Sequence, residues 1–208
     1  MNEAGAIQSG SVAFKPRARL LKLIGAELIS DDVVAITELV KNAHDADASS
    51  VTIEFRGVTS PDGEIVVRDD GDGMSLEALL RHWMEPAGTS KLGLKGRRTK
   101  LGRRVLGEKG VGRFAADKLG AHLELLSRRR GEKNEVRAVF EWDRFEDDSL
   151  MLTEVENHWE VRTPSELSSH GTVLKISKLR NQWSERMFRR LSARLSRLRS
   201  PFGGEKNF

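Results

Sequence analysis

Two short segments of this 208-residue chain carry side chains that could do chemistry. In the first, Glu38, Asn42 and Asp45 stand at i, i+4 and i+7, which places two carboxylates and an amide on one face of a helix. The second, residues 69–74 (Asp-Asp-Gly-Asp-Gly-Met), has an acid at the end of a β-rich run and then two glycines that let backbone approach a ligand closely. Together the two segments predict a nucleotide pocket.

A third segment supplies glycines immediately before a predicted helix, at Gly107, Gly110 and Gly112. Free backbone amides at a helix N-terminus point toward an anion, and phosphate is the natural ligand. The segment lacks the Gly-Lys-Ser/Thr ending of a Walker A loop and the spacing of dinucleotide folds. It also lies in a basic stretch, residues 91–113, in which Glu108 is the only acid. This stretch is expected to attract phosphates, with a solvated charged loop as the alternative.

Residues 31–46 are predicted to form the helix that carries the first segment. Ser30 or Asp31 can cap it, and acids occupy its first turn. An apolar stripe is expected to face the core, formed by Val33, Ile36, Val40 and Ala43. The three polar residues of the segment then lie on the flank of this stripe, between core and cavity.

The acidic segment follows a predicted hairpin. Residues 51–55 and 64–68 have strand patterns and are joined by a turn around residues 61–63. A second helix is expected to begin at Ser75 and to end at Pro86.

Residues 86–110 lack periodicity and exceed the roughly 12 to 15 residues of a plain connection, so they are either a functional lid or disordered. A helix is predicted for residues 111–119, and an arginine-rich last helix for residues 184–199. Strands are expected near residues 121–126, 136–142, 159–162 and 172–176.

This order of elements predicts an α+β fold. We expect a two-layer sandwich in which helices cover one face of a mostly antiparallel sheet. The pattern does not alternate βαβα, which argues against a doubly wound nucleotide fold.

Composition excludes several classes of protein. Hydrophobic residues at 38% and charged residues at 32% are typical of a soluble globular domain, and the net charge is only +4. No apolar run approaches the roughly 18 residues that span a bilayer, and the N-terminus lacks the pattern of a secretory signal. The absence of cysteine excludes disulfides, thiolate metal sites and a cysteine nucleophile. A cytoplasmic location without a membrane partner is the simplest expectation.

Taken in order, the three segments resemble those of the GHKL ATPase superfamily, which includes gyrase B, the heat-shock chaperone, histidine kinases and MutL. A fourth family element is present at Gly171-Thr172, before a predicted strand. The resemblance spans residues 38–172, and it implies a Bergerat ATP-binding fold with ATP and Mg²⁺ as cofactors.

The resemblance also implies a role for each matching residue. Asp69 would accept a hydrogen bond from the adenine amino group, supported by Thr172. Asn42 would bind Mg²⁺ through its amide oxygen, and Glu38 would be the general base that activates water. The rest of the implied nucleotide-binding set comprises Asp45, Gly71, Gly73, Met74, Lys91, Gly107, Gly110, Val111 and Gly112.

Two features favour one branch of the superfamily. Kinases of the superfamily typically lack the base at Glu38, so hydrolysis is expected. Residues 88–91 (Gly-Thr-Ser-Lys) resemble the lid entry of the MutL, MORC and chaperone branch. There, ATP orders the lid and drives dimerisation, and a following domain supplies a lysine to the γ-phosphate.

The expected organisation follows from this branch. Residues 1–30 form an N-terminal arm, residues 31–200 the ATP-binding domain with its lid at 86–112, and residues 201–208 the start of a link to a second domain. We therefore expect a fragment of a larger protein that forms an ATP-dependent homodimer and hydrolyses ATP weakly on its own.

Other readings remain open. The chain could be a histidine-kinase-type domain that transfers phosphate to a partner histidine, or a nucleic-acid module that uses the basic lid and the last helix. Glu38 and Asn42 could be an exposed helix face, and residues 69–73 a mere acidic turn. The histidines show no metal-binding spacing, and the acidic segments do not fit a calcium loop.

Overall fold

One antiparallel sheet organises the computed structural model, which describes residues 11–60, 62–85, 98–107 and 112–198. Six strands of this part of the chain form the sheet in the order β1-β2-β6-β3-β4-β5, and every neighbouring pair is antiparallel. The strands are β1 (Val51–Arg56), β2 (Glu64–Asp69), β3 (Gly120–Arg128), β4 (Glu135–Glu141), β5 (His158–Arg162) and β6 (Gly171–Leu179). The predicted fold class is confirmed, and so is the hairpin of β1 and β2.

Helices cover one face of the sheet. Helix α4 contacts both α1 and α2, and α5 packs against α2. Their bounds are α1 (Leu20–Leu28), α2 (Asp32–Asp45), α3 (Leu76–Ala78), α4 (Gly112–Leu119) and α5 (Glu185–Ser196). Over the described ranges, none of the helices combines the length and the apolar character needed to cross a bilayer.

The two faces of the sheet have different surroundings because side chains alternate along each strand. Ile65 and Val67 of β2 belong to the large core under the helices, whereas Val66 belongs to a small cluster on the other face. That other face also carries ion pairs, in which Glu124 lies 2.5 Å from Arg137 and 3.2 Å from Lys175. Odd-numbered positions of β2 therefore point toward the helices, and Asp69 is one of them.

Helix α2 forms where the sequence predicts it. The Asp31 carboxylate caps it by accepting a hydrogen bond of 3.0 Å from the Val34 amide. The whole predicted apolar stripe is buried, from Val33 to Ala43. Glu38, like Asn42 and Asp45, is partly buried at the edge of the core.

Helix α1 was not predicted, since its residues were assigned to an N-terminal arm. Its local signals are weak: Arg19 at the N-cap makes no side-chain capping bond, and the first turn has no acid. Gly25 in its interior also lowers the helix propensity. The glycine serves packing instead, because a Cβ there would lie 3.3 Å from the Phe114 ring of α4.

The helix predicted from Ser75 is only partly regular. The Ser75 hydroxyl accepts a hydrogen bond of 3.2 Å from the Ala78 amide, as expected of an N-cap. The α-helical turn ends at Ala78, and a π-helical turn follows at Leu79–Trp83, closed by a bond of 3.2 Å from Met84 N to Leu79 O. Apolar periodicity does not distinguish this wider turn from an α-helix.

Candidate functional site

The C-terminal end of α2 meets the loop that follows β2. The amide of Asp72 donates a hydrogen bond of 2.7 Å to the carbonyl oxygen of Ala46. Asn42 lies one helical turn before Ala46, and Asp69 lies three residues before Asp72. The fold therefore brings the first two predicted segments, which carry Asn42 and Asp69, to the same region of the molecule.

Asp69 ends β2 with a partly buried carboxylate. Its Oδ1 accepts a hydrogen bond of 2.9 Å from the Gly71 amide. Burial raises the pKa of Asp69 to about 6, aided by the charge of Asp70 and opposed by the hydrogen bond from Gly71. A Cβ on Gly71 would lie 2.9 Å from the same Oδ1, so a side chain there would crowd the carboxylate.

Asp70 has a structural role next to Asp69. Its carboxylate accepts hydrogen bonds from the amides of Ser49 (2.7 Å) and Ser50 (2.8 Å) and from the Ser49 hydroxyl. Burial would raise the pKa of Asp70, but these hydrogen bonds outweigh burial and lower it. Asp70 thereby holds the end of β2 against the start of β1.

Asp72 connects the loop after β2 to the segment at residues 98–107 and to the turn between β3 and β4. Its carboxylate lies 2.5 Å from Lys100 Nζ and 2.9 Å from Arg130 Nε. The hydrogen bond from Lys100 is the largest cause of its lowered pKa. The acidic segment thus contains one carboxylate with a raised pKa, Asp69, beside two that are used in structural contacts.

Two glycines have backbone conformations that the site requires. Gly73 has φ +64°, and a Cβ there would lie 2.0 Å from the carbonyl oxygen of Arg128. Gly171 has φ +137°, and its Cβ would lie 2.1 Å from the carbonyl oxygen of Asp69. Both positions combine positive φ with close contact to a neighbouring strand, so only glycine fits.

Strand β6 places Thr172 directly opposite Asp69 in the antiparallel register. Side chains of directly opposed residues lie on the same face of a sheet. Thr172 is therefore the immediate neighbour of Asp69, as the resemblance to the GHKL superfamily implies.

Ser127 of β3 is a functional candidate that sequence reasoning missed. It is fully buried and directly opposite Thr172. Its Oγ lies 2.8 Å from Met74 N, 3.1 Å from Gly171 O and 3.0 Å from Thr172 Oγ1. The only signal in the sequence is one small polar residue after an apolar strand pattern, which does not indicate these contacts.

The predicted base, Glu38, lies beside a lysine. Lys41 Nζ is 2.6 Å from Glu38 Oε1, and both side chains are mostly shielded from solvent. Glu38 precedes Asn42 by one helical turn, so the carboxylate and the amide share a face of α2.

Asp45 contacts the backbone of the segment at residues 98–107. Its two carboxylate oxygens accept hydrogen bonds from the amides of Leu106 (2.8 Å) and Gly107 (2.7 Å). These contacts connect the end of α2 to the third predicted segment, and the expected binding of nucleotide by Asp45 stays a prediction.

The described segment at residues 98–107, part of the range expected to form a lid, folds against the turn that follows α2. The buried Arg103 guanidinium donates a hydrogen bond to the Ala48 carbonyl oxygen, and the Leu101 amide donates one of 3.2 Å to Asp47. A bridge between Arg98 and Arg104 closes the segment into a turn. Sequence periodicity gave no indication of this local order.

Most of the predicted site residues thus converge around the ends of α2, β2 and β6. Asp69, Gly71, Gly73, Met74 and Thr172 are connected through direct contacts or through Ser127. Gly112 is the first residue of α4. Lys91, Gly110 and Val111 lie outside the described residues.

Known protein families and individual proteins match parts of this chain. A model of the family described as "Histidine kinase-, DNA gyrase B-, and HSP90-like ATPase" matches residues 30–172. The chain is 40% identical over 76 residues to the DNA mismatch repair protein MutL of Chlamydia felis (strain Fe/C-56), covering 35% of this chain and 12% of that protein. It is 38% identical over 81 residues to MutL of Chlamydia abortus (strain DSM 27085 / S26/3), covering 34% of this chain and 14% of that protein.

The chain spans only 12 to 14% of the length of these relatives. The family match, in contrast, covers well over half of the 208 residues and includes Glu38, Asp69 and Thr172. On this match and the six-stranded fold, the chain belongs to the histidine kinase-, DNA gyrase B- and HSP90-like ATPases, the GHKL superfamily.

Proposed function

We propose that this ATP-binding domain binds Mg-ATP in the region bounded by α2, β2 and β6, and that it hydrolyses ATP slowly. The observation that supports the proposal is the row formed by Asp69 and Thr172 beside the end of α2, which carries Glu38 and Asn42. In the same proposal, hydrolysis switches lid closure and dimer contacts of a larger protein.

The surroundings of Asp69 suit recognition of an adenine amino group. Above a pH of about 6 its carboxylate is ionised and accepts hydrogen bonds only. A charge-assisted bond of this kind contributes about 1.5 to 3 kcal/mol, and a base without the donor forgoes it. Gly71 and Gly73 let the loop after β2 pack closely against Ala46, Asp69 and Arg128, which keeps the Asp69 carboxylate in place.

The donor set on α2 suits a magnesium ion next to phosphate oxygens. Mg²⁺ prefers oxygen ligands and keeps several waters, so the amide oxygen of Asn42 suffices as the protein ligand when nucleotide supplies others. When bound, the ion neutralises charge that develops on the phosphate oxygens. The Asn42 side chain would hold it on the face of α2 that also carries Glu38.

Glu38 is the proposed general base. It would accept the proton of a water that attacks the terminal phosphate, a role typically worth about 10²- to 10⁴-fold in rate. The hydrogen bond from Lys41 holds one oxygen of the carboxylate.

Two substitutions separate binding from hydrolysis. Glu38→Ala is expected to bind Mg-ATP as the unsubstituted protein does but to lose turnover, because only the base is removed. Asp69→Asn is expected to lose binding, because the remaining amide oxygen would stay with the Gly71 amide and the NH2 group would face the adenine amino group. Titration calorimetry and phosphate release measure the two effects, and Asp148→Asn, at an exposed carboxylate, serves as the matched control. Normal ATP binding by Asp69→Asn would refute the proposed pocket.

Calorimetry with ATP, ADP and GTP, each with and without Mg²⁺, tests the ligand class. We expect ATP to bind more tightly than GTP and to require Mg²⁺ for full affinity. Equal affinities for ATP and GTP would contradict recognition through Asp69.

The proposed dimer belongs to a longer protein. One observation supports it: α1 exposes a stripe of apolar side chains, with Leu20 at 42%, Leu23 at 58% and Ile24 at 38%. Neighbouring exposed apolar side chains on one helix face are a candidate contact surface. Sedimentation of the longer protein with and without ATP tests this; a mass that does not change with ATP would contradict an ATP-dependent dimer.

A further inference from the structure

The hydroxyl of Ser127 lies at the end of a polar row that crosses three strands. Asp69, Thr172 and Ser127 are directly opposed in register on β2, β6 and β3. All three side chains therefore lie on the helix-covered face of the sheet. Beyond Ser127 the row ends at Val136 of β4, which is core.

Burial makes the hydrogen bonds of this serine obligatory. Ser127 is fully buried, and so are the neighbouring side chains of Leu125 and Leu126. A hydroxyl removed from water must find partners within the protein. Its three polar neighbours are the Met74 amide, the Gly171 carbonyl oxygen and the Thr172 hydroxyl.

The hydrogen-bond donors and acceptors around the Ser127 hydroxyl determine how it acts on Thr172. The Met74 amide can only donate, so it occupies one lone pair of Ser127 Oγ. Ser127 has a single proton for two acceptors, Gly171 O and Thr172 Oγ1. When that proton goes to Gly171, the Thr172 hydroxyl donates to Ser127, and Thr172 presents only lone pairs toward the neighbourhood of Asp69.

We propose that Ser127 is a positioning residue for recognition of the adenine base: its hydroxyl orients the Thr172 side chain beside Asp69 and holds the Met74 amide in place. The inference rests on the proposed function and names a residue that supports the preference for adenine through Thr172. Ser127 itself is buried behind Thr172 and acts through it.

Removing the hydroxyl breaks three hydrogen bonds. In Ser127→Ala the Thr172 hydroxyl and the Gly171 carbonyl oxygen lose their bonds to Ser127, and the Met74 amide loses its acceptor. Loss of one hydrogen bond corresponds to about a 3- to 10-fold change in an equilibrium constant. We expect ATP affinity to fall by about this factor while GTP affinity changes less, so the preference for ATP over GTP narrows.

A double-substitution cycle tests the inference. Competition binding with ATP and GTP compares the unsubstituted protein, Ser127→Ala, Thr172→Val and the double variant. If Ser127 acts through Thr172, Ser127→Ala narrows the ATP preference when threonine is present and has no further effect once Thr172→Val has been made. Additive effects, or an unchanged ATP preference in Ser127→Ala, would overturn the inference. A merely structural role would lower both affinities equally.

The controls separate this inference from the proposed function. Ser196→Ala removes a remote hydroxyl of α5 and is expected to leave both affinities unchanged. If Ser127→Ala does not fold, Ser127→Cys replaces the hydroxyl by a weaker hydrogen-bonding group and is expected to narrow the preference too; an unchanged preference would refute the inference. Failure of the unsubstituted protein to bind ATP refutes the proposed function, whereas unchanged selectivity in the variants refutes only the role of Ser127.

Discussion

Asp69 makes the stability of the protein depend on pH. Its pKa is raised from the ordinary 3.8 to about 6 by burial, so between these pH values the folded state binds more protons than the unfolded state. The contribution of Asp69 to the free energy of unfolding is therefore full at low pH and is lost as pH rises through about 6. We expect the stability of the unsubstituted protein, relative to Asp69→Asn, to fall by about 1 to 3 kcal/mol between pH 4 and pH 7. Denaturant unfolding of both proteins at both pH values measures this difference. If the free energy of unfolding changed equally with pH in the two proteins, the prediction would be contradicted.

The backbone of Gly171 packs directly against the carbonyl oxygen of Asp69. Gly171→Ala is expected to destabilise the fold by more than about 2 kcal/mol, because strain at positive φ adds to overlap with Asp69 O. Gly131→Ala is the matched control: Gly131 has φ +86°, but nothing lies within 4 Å of its Cβ position. Denaturant unfolding should show a clearly smaller loss of stability for Gly131→Ala than for Gly171→Ala. Equal losses of stability would mean that the contact with Asp69 is unimportant.

Residue types and spacing predicted part of the site and missed another part. Asp69 could be predicted because its signal lies within a few neighbouring residues: an acid that follows a strand pattern and precedes two glycines. Ser127 was missed because its partners, Met74 and Thr172, lie 53 and 45 residues away in sequence and meet it only through the sheet register. The described contacts of Asp45 were equally hidden, since a carboxylate on a helix face gives no sign of which amides it will meet.

At the scale of elements, local signals predicted those elements that have clear caps and periodicity. Asp31 and Ser184 cap α2 and α5, with Val34 N and Met187 N as donors. Helix α1 has neither a cap nor an uninterrupted stripe, and its stability comes from contact with α4. The strand order was not predictable, because β6 joins β2 and β3 through pairings that are distant in sequence.

The lid segment depends on one carboxylate of α2. In Asp45→Ala the amides of Leu106 and Gly107 lose their acceptors, so we expect hydrogen exchange at both to accelerate by about 10-fold. The Leu101 amide, held by Asp47, is the internal control and should keep its protection. Equal acceleration at all three amides would mean that the segment opens as a unit, and unchanged rates would mean that Asp45 does not hold it.

At the scale of the whole molecule, the proposed site lies where the helix layer meets the sheet, two layers that already share one core. Asp69 and Thr172 belong to central strands, whereas Asn42 belongs to a helix packed over them. A ligand that contacts both layers stabilises the sheet and the helices together, because it binds only when they are correctly packed.

This coupling predicts a large effect of nucleotide on thermal unfolding. At a free ATP concentration 100 times the Kd, binding to the folded state alone adds about 2.7 kcal/mol of stability. For a domain of this size that corresponds to a rise in Tm of about 5 to 10 °C. Glu38→Ala should show the full rise because it retains binding, and Asp69→Asn should show none.

Hydrogen exchange with ATP should slow in β2 and β6 as well as in residues 98–107, because the base lies against the strands. Slowing confined to residues 98–107 would place the nucleotide on the lid alone and would contradict the pocket at Asp69.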